Sequence, residues 1–586
     1  MISPPPLPVA APRPWRAMAR PACLALFLLL SITVGPALGA SIPMVVAHQR
    51  LQLPLPASPL GLPGGAAGTL IVEEPETPDT LNPYLAHSQV SLDITSAVFD
   101  SLLSILPNGS PRPNLAQRWG RSADGLRWTF WLNPAARWQD GLPVTARDVL
   151  YTARLVTNPA FGATSTAAFS HIKTLSAVGD YQVTIQLDTP YAPFAALFGT
   201  APILPAHVLE PLSPAAARDY AAFNRRPVGS GPFAVTEFVP GDHVTLVRTH
   251  LSDAPPVGVQ RLIYQRTPTR DVALAALRAG GAVVLPPTLN LTAAEYLALR
   301  RPGATGVVTY ATPGFSWMHV DLVESGFLRE GAVRRALVRA TPRQRIVDEV
   351  LLGLGAVAVG DQPPSTRWFE PGLRGAYSFD PAAARRGLRA LGFLPTGPGG
   401  ALRRDGAPLA ITLWAVAGAP GAERTARLIA TGWRSVGVAV TVQLAPTEEV
   451  FGPRGPLLSA DRLRRSAMNA VLYTWTNPPD PDDAVYWQSA AVATPDRPAA
   501  MNFVGYHSPV VDRLIVAAQA ERNLRARTHL YQRIQRLLAY DQPAIYIAWP
   551  HILSAATSHL RGYQPNPYQP GLAWNARLWT LDLAVK

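Results

Sequence analysis

Short strand patterns and capped helices interleave from Thr69 to the C-terminal end, which leaves α/β architectures open and excludes all-α and all-β bodies. Tyr181-Gln182-Val183-Thr184-Ile185-Gln186-Leu187 alternates with the period of a half-buried strand. Gly179-Asp180 ahead of it predicts a hairpin with Ile172 to Val178. Leu126 to Leu132 reads as a strand between turns at Asp124-Gly125 and Asp140-Gly141, and Pro107-Asn108-Gly109 marks a further reversal. Helix starts are equally legible. Thr145-Ala146-Arg147-Asp148 has the form of a capping box, and Ser213-Pro214 and Asp380-Pro381 each set a capping residue before a proline at the first helical position. Leu530, Ile534, Leu537 and Leu538 form one apolar stripe on a helix that stops before Pro543, and Ala544 to Trp549 follows as a strand.

A chain of 586 residues exceeds what one core organises, so two or three domains are expected. Apolar residues make up 48% and charged residues 16%, a balance that folds. The net charge of +13 raises the question of nucleic acid, but Lys173 and Lys586 are the only lysines and the arginines are scattered without a basic tract. A bias toward Ala, Arg, Pro and Gly explains the charge, and no nucleic-acid partner is expected. Cys23 is the sole cysteine, which excludes an intrachain disulfide and Cys-rich metal sites.

The N-terminal region has the pattern of an address. Arg13, Arg16 and Arg20 precede an apolar run from Cys23 to Leu38. Some 16 helical residues reach only about 24 Å, short of a bilayer core of about 30 Å, so residues 1–40 read as a signal peptide, with an uncleaved anchor as the alternative. Ala37-Leu38-Gly39 and Leu38-Gly39-Ala40 are the candidate cleavage sites. Cys23 lies at the start of the run and not at its end, against a lipid anchor there. Residues 41–68, with five prolines, four glycines and one charge, read as a linker. An exported protein, periplasmic or at the cell surface, is therefore expected.

Several ordered segments together carry a family resemblance. They include Thr80-Leu81-Asn82-Pro83, Val98-Phe99-Asp100-Ser101-Leu102-Leu103, and Ser122-Ala123-Asp124-Gly125-Leu126-Arg127-Trp128-Thr129-Phe130. The series continues through Arg137-Trp138-Gln139-Asp140-Gly141, Val228-Gly229-Ser230-Gly231-Pro232-Phe233, Phe379-Asp380-Pro381 and Asp480-Pro481-Asp482. In this series the chain resembles the peptide/nickel class of bacterial solute-binding proteins. The resemblance implies an α/β two-lobed clamshell with a strand-rich subdomain, about 95–200, inserted in lobe one. Lobe one would span 69–312, lobe two 313–542, and 543–586 would return to lobe one. The hinge crossings would lie near Ala311, Pro313 and Gly314 and near Asp541 and Pro543. An ABC permease is the implied partner, a peptide or similarly sized solute the ligand, and a monomer the default.

Peptide-binding members commonly hold the ligand's α-amino group with an aspartate three residues before an Asp-Pro pair. Here that position is Asn477, which exchanges a charge-assisted contact of about 1.5–3 kcal/mol for an ordinary one of about 0.5–1.5 kcal/mol. Asp480, Asp482 or Asp483 are the alternatives for a cation-binding role, the bland reading being a turn with a helix capped at Asp483. Tyr473 and Trp475 alternate on a strand and either wall the cleft or pack the lobe; Trp414 is a further candidate, and Phe315 and Trp317 sit beside the first crossing. Tyr84 is the candidate from the opposing lobe, whereas Trp128 and Trp138 read as structural. Nickel complexes, opines and sugars remain alternative ligands. An exported hydrolase is the rival class, but neither a His-Glu-x-x-His helix nor a Gly-x-Ser-x-Gly elbow is present, His171, His207, His319 and His551 lack paired spacing, and no cofactor or metal motif appears.

Overall fold

The structure, a computed structural model, describes residues 68–249, 258–301, 306–314, 316–397, 400–419, 421–452, 455–458, 468–478, 480–494, 497, 500–568 and 571–582. The apolar N-terminal run, nearly all of the linker and Phe315 lie outside the described residues. The organising element is the strand Ala544–Thr557, 14 residues rich in β-branched and aromatic side chains. Its first six and last four residues are buried while Pro550, His551, Ile552 and Leu553 are only partly so. Such a pattern suits a central strand covered on both faces at its two ends and opened in the middle.

Partners change along that strand. Val307–Pro313 pairs antiparallel with its C-terminal part, from Val307 opposite Thr557 to Pro313 opposite His551. Past Gly314 the ladder resumes with Ser316–Leu322, from Met318 opposite Ala548 to Asp321 opposite Ala544. Pro550, which has no N–H to give to a ladder, sits where the partners exchange. The strand expected to end at Trp549 therefore runs on through Pro550. Asp541 and Pro543 lie at the end of the helix Leu524–Asp541 and just ahead of the strand, on the Ser316–Leu322 side. The chain passes from one half of the sheet to the other near His551, later than the 543 boundary read from sequence.

On one side of the exchange the sheet continues through Val283–Leu285, Thr69–Glu74, Arg261–Arg266, His243–Arg248 and Phe233–Val239. On the other it continues through Ser316–Leu322, Asn469–Thr476, Ala410–Val416 and Ala439–Ala445. Each half has its own apolar core, the first around Leu70, Val72 and Leu262, the second around Val320, Leu413 and Trp433. The first half carries the inserted subdomain, an antiparallel sheet ordered Ala116–Arg121, Arg127–Leu132, Gln182–Leu187, Ile172–Val178. The expected hairpin is there, with Val178 opposite Gln182 and Gly179 at φ 59° in the turn. The helices Ala146–Val156 and Phe194–Thr200 cover the sheet, Phe130, Phe194 and Phe198 clustering with ring centroids 4.5 and 5.8 Å apart.

Three of the local signals are realised as read. Thr145 and Asp148 form the capping box, the Thr145 N–H donating to Asp148 Oδ2 at 2.8 Å. Ser213 and Asp380 each cap their helix through the side chain. Two of the family-like segments interlock: Gln139 Nε2 donates to the carbonyls of Gly231 and Phe233 at 3.2 and 2.8 Å, and its Oε1 accepts from the Gly229 N–H at 3.0 Å. The Gly229-Ser230-Gly231 turn thereby lies against the end of the helix Gln89–Val98. A Cβ at Gly229 would stand 1.9 Å from the Val98 carbonyl oxygen, so the turn demands glycine for close approach and not for catalysis. Gly229→Ala is expected to cost at least about 3 kcal/mol of stability, while Gly387→Ala in an open helical position should be neutral or stabilising. Denaturant unfolding of the two variants checks the contrast.

Candidate functional site

The strand Asn469–Thr476 and the loop after it lay most of the candidate residues along one edge of the second half of the sheet. Alternation puts Tyr473 and Trp475 on one face, as expected, where they stand edge to face with ring centroids 6.5 Å apart. Tyr473 donates its hydroxyl to Asp321 Oδ2 at 2.6 Å and packs against His319 and Phe451. The Trp475 indole N–H donates to the Tyr486 hydroxyl. Trp414 lies on the neighbouring strand, donating to Asn469 Oδ1 at 3.2 Å and packing into the same aromatic group. Tyr473 and Trp475, with Trp317, Tyr486 and Trp487, surround a void of about 10 Å³, room for no more than a water-sized guest.

Asn477 is 6% exposed and both ends of its amide are used. Its Oδ1 accepts from the Trp317 indole N–H at 3.0 Å, and its Nδ2 donates to the Asp361 carbonyl at 2.8 Å. The side chain fastens the post-strand loop to two other segments. Asp361 in turn accepts from the Trp487 indole N–H at 3.0 Å. Burial pushes the Asp361 carboxyl up to about 6, and burial together with the charge of Asp361 pushes Asp483 up as well. Asp483 makes no side-chain cap to the helix Ala484–Trp487; Asp482 Oδ1 accepts from the Ala484 N–H at 3.2 Å in its place.

Asp480 faces a different space. It lines a cavity of about 410 Å³ whose other walls come from the inserted subdomain: Trp119, Arg121 and Trp128 from its sheet and Ala192, Ala195 and Ala196 from the helical segment. Its carboxylate is held by Arg527 at 2.7 Å. Burial works against the Arg527 charge, but Asp480 and Tyr531 more than offset this and hold the guanidinium above its ordinary value. Beside this cavity the subdomain meets the second half of the molecule directly. Tyr191 donates to Asp482 Oδ2 at 2.5 Å, Gln519 Nε2 donates to Asp482 Oδ1 at 2.9 Å, and the Ala192 N–H donates to the Gln519 carbonyl at 2.7 Å.

Tyr84 stands apart from all of these. It is 7% exposed in the first core, its hydroxyl donates to the Pro202 carbonyl at 2.7 Å, and burial raises its phenol. A hydroxyl satisfied this way belongs to packing. Sequence reasoning missed the subdomain's share of the cavity. Trp128 was read as structural because its strand is, yet a core strand's end can still face an opening.

Comparison with known proteins agrees with this architecture. The model of the family described as bacterial extracellular solute-binding proteins, family 5 middle region, matches residues 110–494. Protein XP55 of Streptomyces lividans is 31% identical over 481 residues, 81% of this chain and 82% of that protein. Among solved structures, the oligopeptide-binding protein AppA of Bacillus subtilis, in complex with a nonapeptide, superposes with a TM-score of 0.70 at 22% identity, covering 88% of this chain and 99% of the other. NikA of Brucella suis, in complex with Fe(III)-EDTA, gives 0.74 at 20% identity over 88% and 100%. These two likenesses carry the two-lobed α/β fold.

Two outcomes follow from the buried network. In Asn477→Asp a carboxylate would face the Asp361 carbonyl that the amide now serves, so the variant should lose about 1–3 kcal/mol in thermal or denaturant unfolding. Asp361 is raised above its ordinary 3.8, so the folded chain retains a proton that the unfolded chain releases. The resulting stabilisation is complete below about pH 4 and is lost as pH rises through about 6, on the order of 2 kcal/mol. Unfolding of Asp361→Asn across that window should show a flatter profile than the parent; an unchanged slope would assign the proton elsewhere.

Proposed function

Because this chain belongs to family 5 of the bacterial extracellular solute-binding proteins, we propose that it captures a peptide or peptide-sized solute between its lobes and hands it to an ABC importer. The observation that carries this reading is the pairing of a two-strand crossing at Val307–Pro313, Ser316–Leu322 and Ala544–Thr557 with a cavity opposite it, between Asp480 and the inserted subdomain. A crossing of that kind lets two bodies with separate cores swing while the ladder stays intact. Ala311, Pro313 and Gly314 then lie at the hinge, and His551 takes the place of Asp541 and Pro543 as its second strand. The contacts of Tyr191 and Ala192 with Asp482 and Gln519 hold the closed state on the side away from the crossing.

The solute would be taken up outside the cytoplasm, as the family description implies, with residues 1–40 as export signal or tether. Among the described residues no helix is long and apolar enough to cross a membrane. Capture and release require differential affinity for the two lobe arrangements and no covalent step. A second reading, a solute without a free amine, is favoured by one observation: Asn477 is fully hydrogen-bonded inside its lobe and Asp480 is neutralised by Arg527. Asp480 and Asn477 therefore act here as wall and brace.

Tyr191→Phe removes one charge-assisted hydrogen bond from the closed state only, so the dissociation constant for tri-alanine or penta-alanine should rise about five- to thirtyfold. Calorimetry on the purified chain measures it, with small-angle scattering reporting closure. Binding without compaction, or turnover of the peptide, would overturn the proposal.

A further inference from the structure

The cavity between the inserted subdomain and lobe two has an uneven supply of polar groups. Trp128, 5% exposed, lines it, and its buried indole N–H has no hydrogen-bond partner. Arg121 lines it as well, its guanidinium 5.3 Å from the centroid of the Trp128 ring, and no carboxylate pairs with it among the described residues. The one acid in the lining, Asp480, is occupied by Arg527. Lobe two contributes a further cation: the Arg522 stem crosses the turn at Gly125, where an added Cβ would stand 3.4 Å from its Cδ, and Arg522 likewise has no carboxylate partner among the described residues. Arg121 is held below its ordinary value by burial and by the like charges of Arg522 and Arg527.

Closing the lobes thus brings an unpaired guanidinium from lobe two toward an unpaired guanidinium on the subdomain, beside a buried N–H that lacks an acceptor. Like charges drawn together in a partly dry cavity oppose closure, and an unmet donor adds to the cost. A single anionic group between them relieves all three. We infer that this cavity is a subsite for a carboxylate of the solute, recognised by Arg121 and the Trp128 indole N–H and facing Arg522, so that the anion itself promotes closure. The inference rests on the solute-capture reading above and adds to it which chemical end of the solute is read. Small side chains at Ala192, Ala195 and Ala196 leave the room such a group needs.

The test uses the full chain and four probes in calorimetry: tetra-alanine with a free C-terminal carboxylate, tetra-alanine amide, and two amidated tetrapeptides with glutamate in the second or the last position. The free acid should bind at least about tenfold tighter than the amide, as expected for a charge-assisted bidentate contact. Recovery of affinity by either glutamate amide would identify an acidic side chain, and not only the chain terminus, as a source of the carboxylate. Arg121→Gln, an exposed position whose loss should not unfold the chain, is expected to abolish the acid-over-amide preference while leaving amide binding unchanged. Trp128→Phe should reduce the preference partially. Equal affinity for acid and amide in the parent, or an equal loss on both in Arg121→Gln, would overturn the carboxylate subsite and leave solute capture standing. Failure of all four probes to bind would sink both readings together.

Discussion

Two strands that run through both halves of the molecule set the terms for everything else. The ladder between Ala544–Thr557 and the consecutive strands Val307–Pro313 and Ser316–Leu322 lies between two separate apolar cores. Backbone hydrogen bonds hold that crossing, and its central side chains are only half-buried, so it can bend without uncovering a core. Each body is then rigid by its own packing, while their relative arrangement is decided by a few polar contacts at the far rim, chief among them Tyr191 with Asp482. Weak, specific closure over strong, separate cores is the physical basis for capture followed by release.

Within lobe two, polarity is spent on architecture. Trp317, Asn477, Asp361 and Trp487 form one buried chain of hydrogen bonds, and Tyr473, Asp321 and His319 form another beside it. Groups satisfied in this way hold the strand Asn469–Thr476 and its following loop in position, because leaving any of them unmet would cost more than the bond contributes. The residues with polarity to spare stand elsewhere, at the end of the inserted sheet. That division separates the wall that braces the cleft from the wall that reads its guest.

Much of the fold was legible locally. Thr145 and Asp148 announce a capping box, Ser213 and Asp380 their helix starts, and the alternation at Tyr181 to Leu187 a strand whose hairpin partner is the one expected. These signals are short-range: the residues that need each other are within a few positions. The candidate site was legible only in part. Tyr473 and Trp475 share a face by simple alternation, and Asp480 does reach a cavity. Tyr84 reads as a loop aromatic but closes its hydroxyl on Pro202, more than a hundred positions away. Nor does a strand running through Pro550 show itself until the partner strands on either side are known to exchange there.

The amino-acid sequence by itself determined the element types, the interleaving that makes an α/β body, and the series of segments that marks the family, since propensity, capping and periodicity act between near neighbours. Only the tertiary structure decided which carboxylates and amides remain free to meet a solute. Asn477, Asp480 and Trp128 differ in that respect because of partners contributed by distant segments: Trp317 and Asp361 for the first, Arg527 for the second, and none for the third. A side chain's chemistry is written in its residue type, but whether that chemistry is already satisfied depends on what the fold brings within about 3 Å of it.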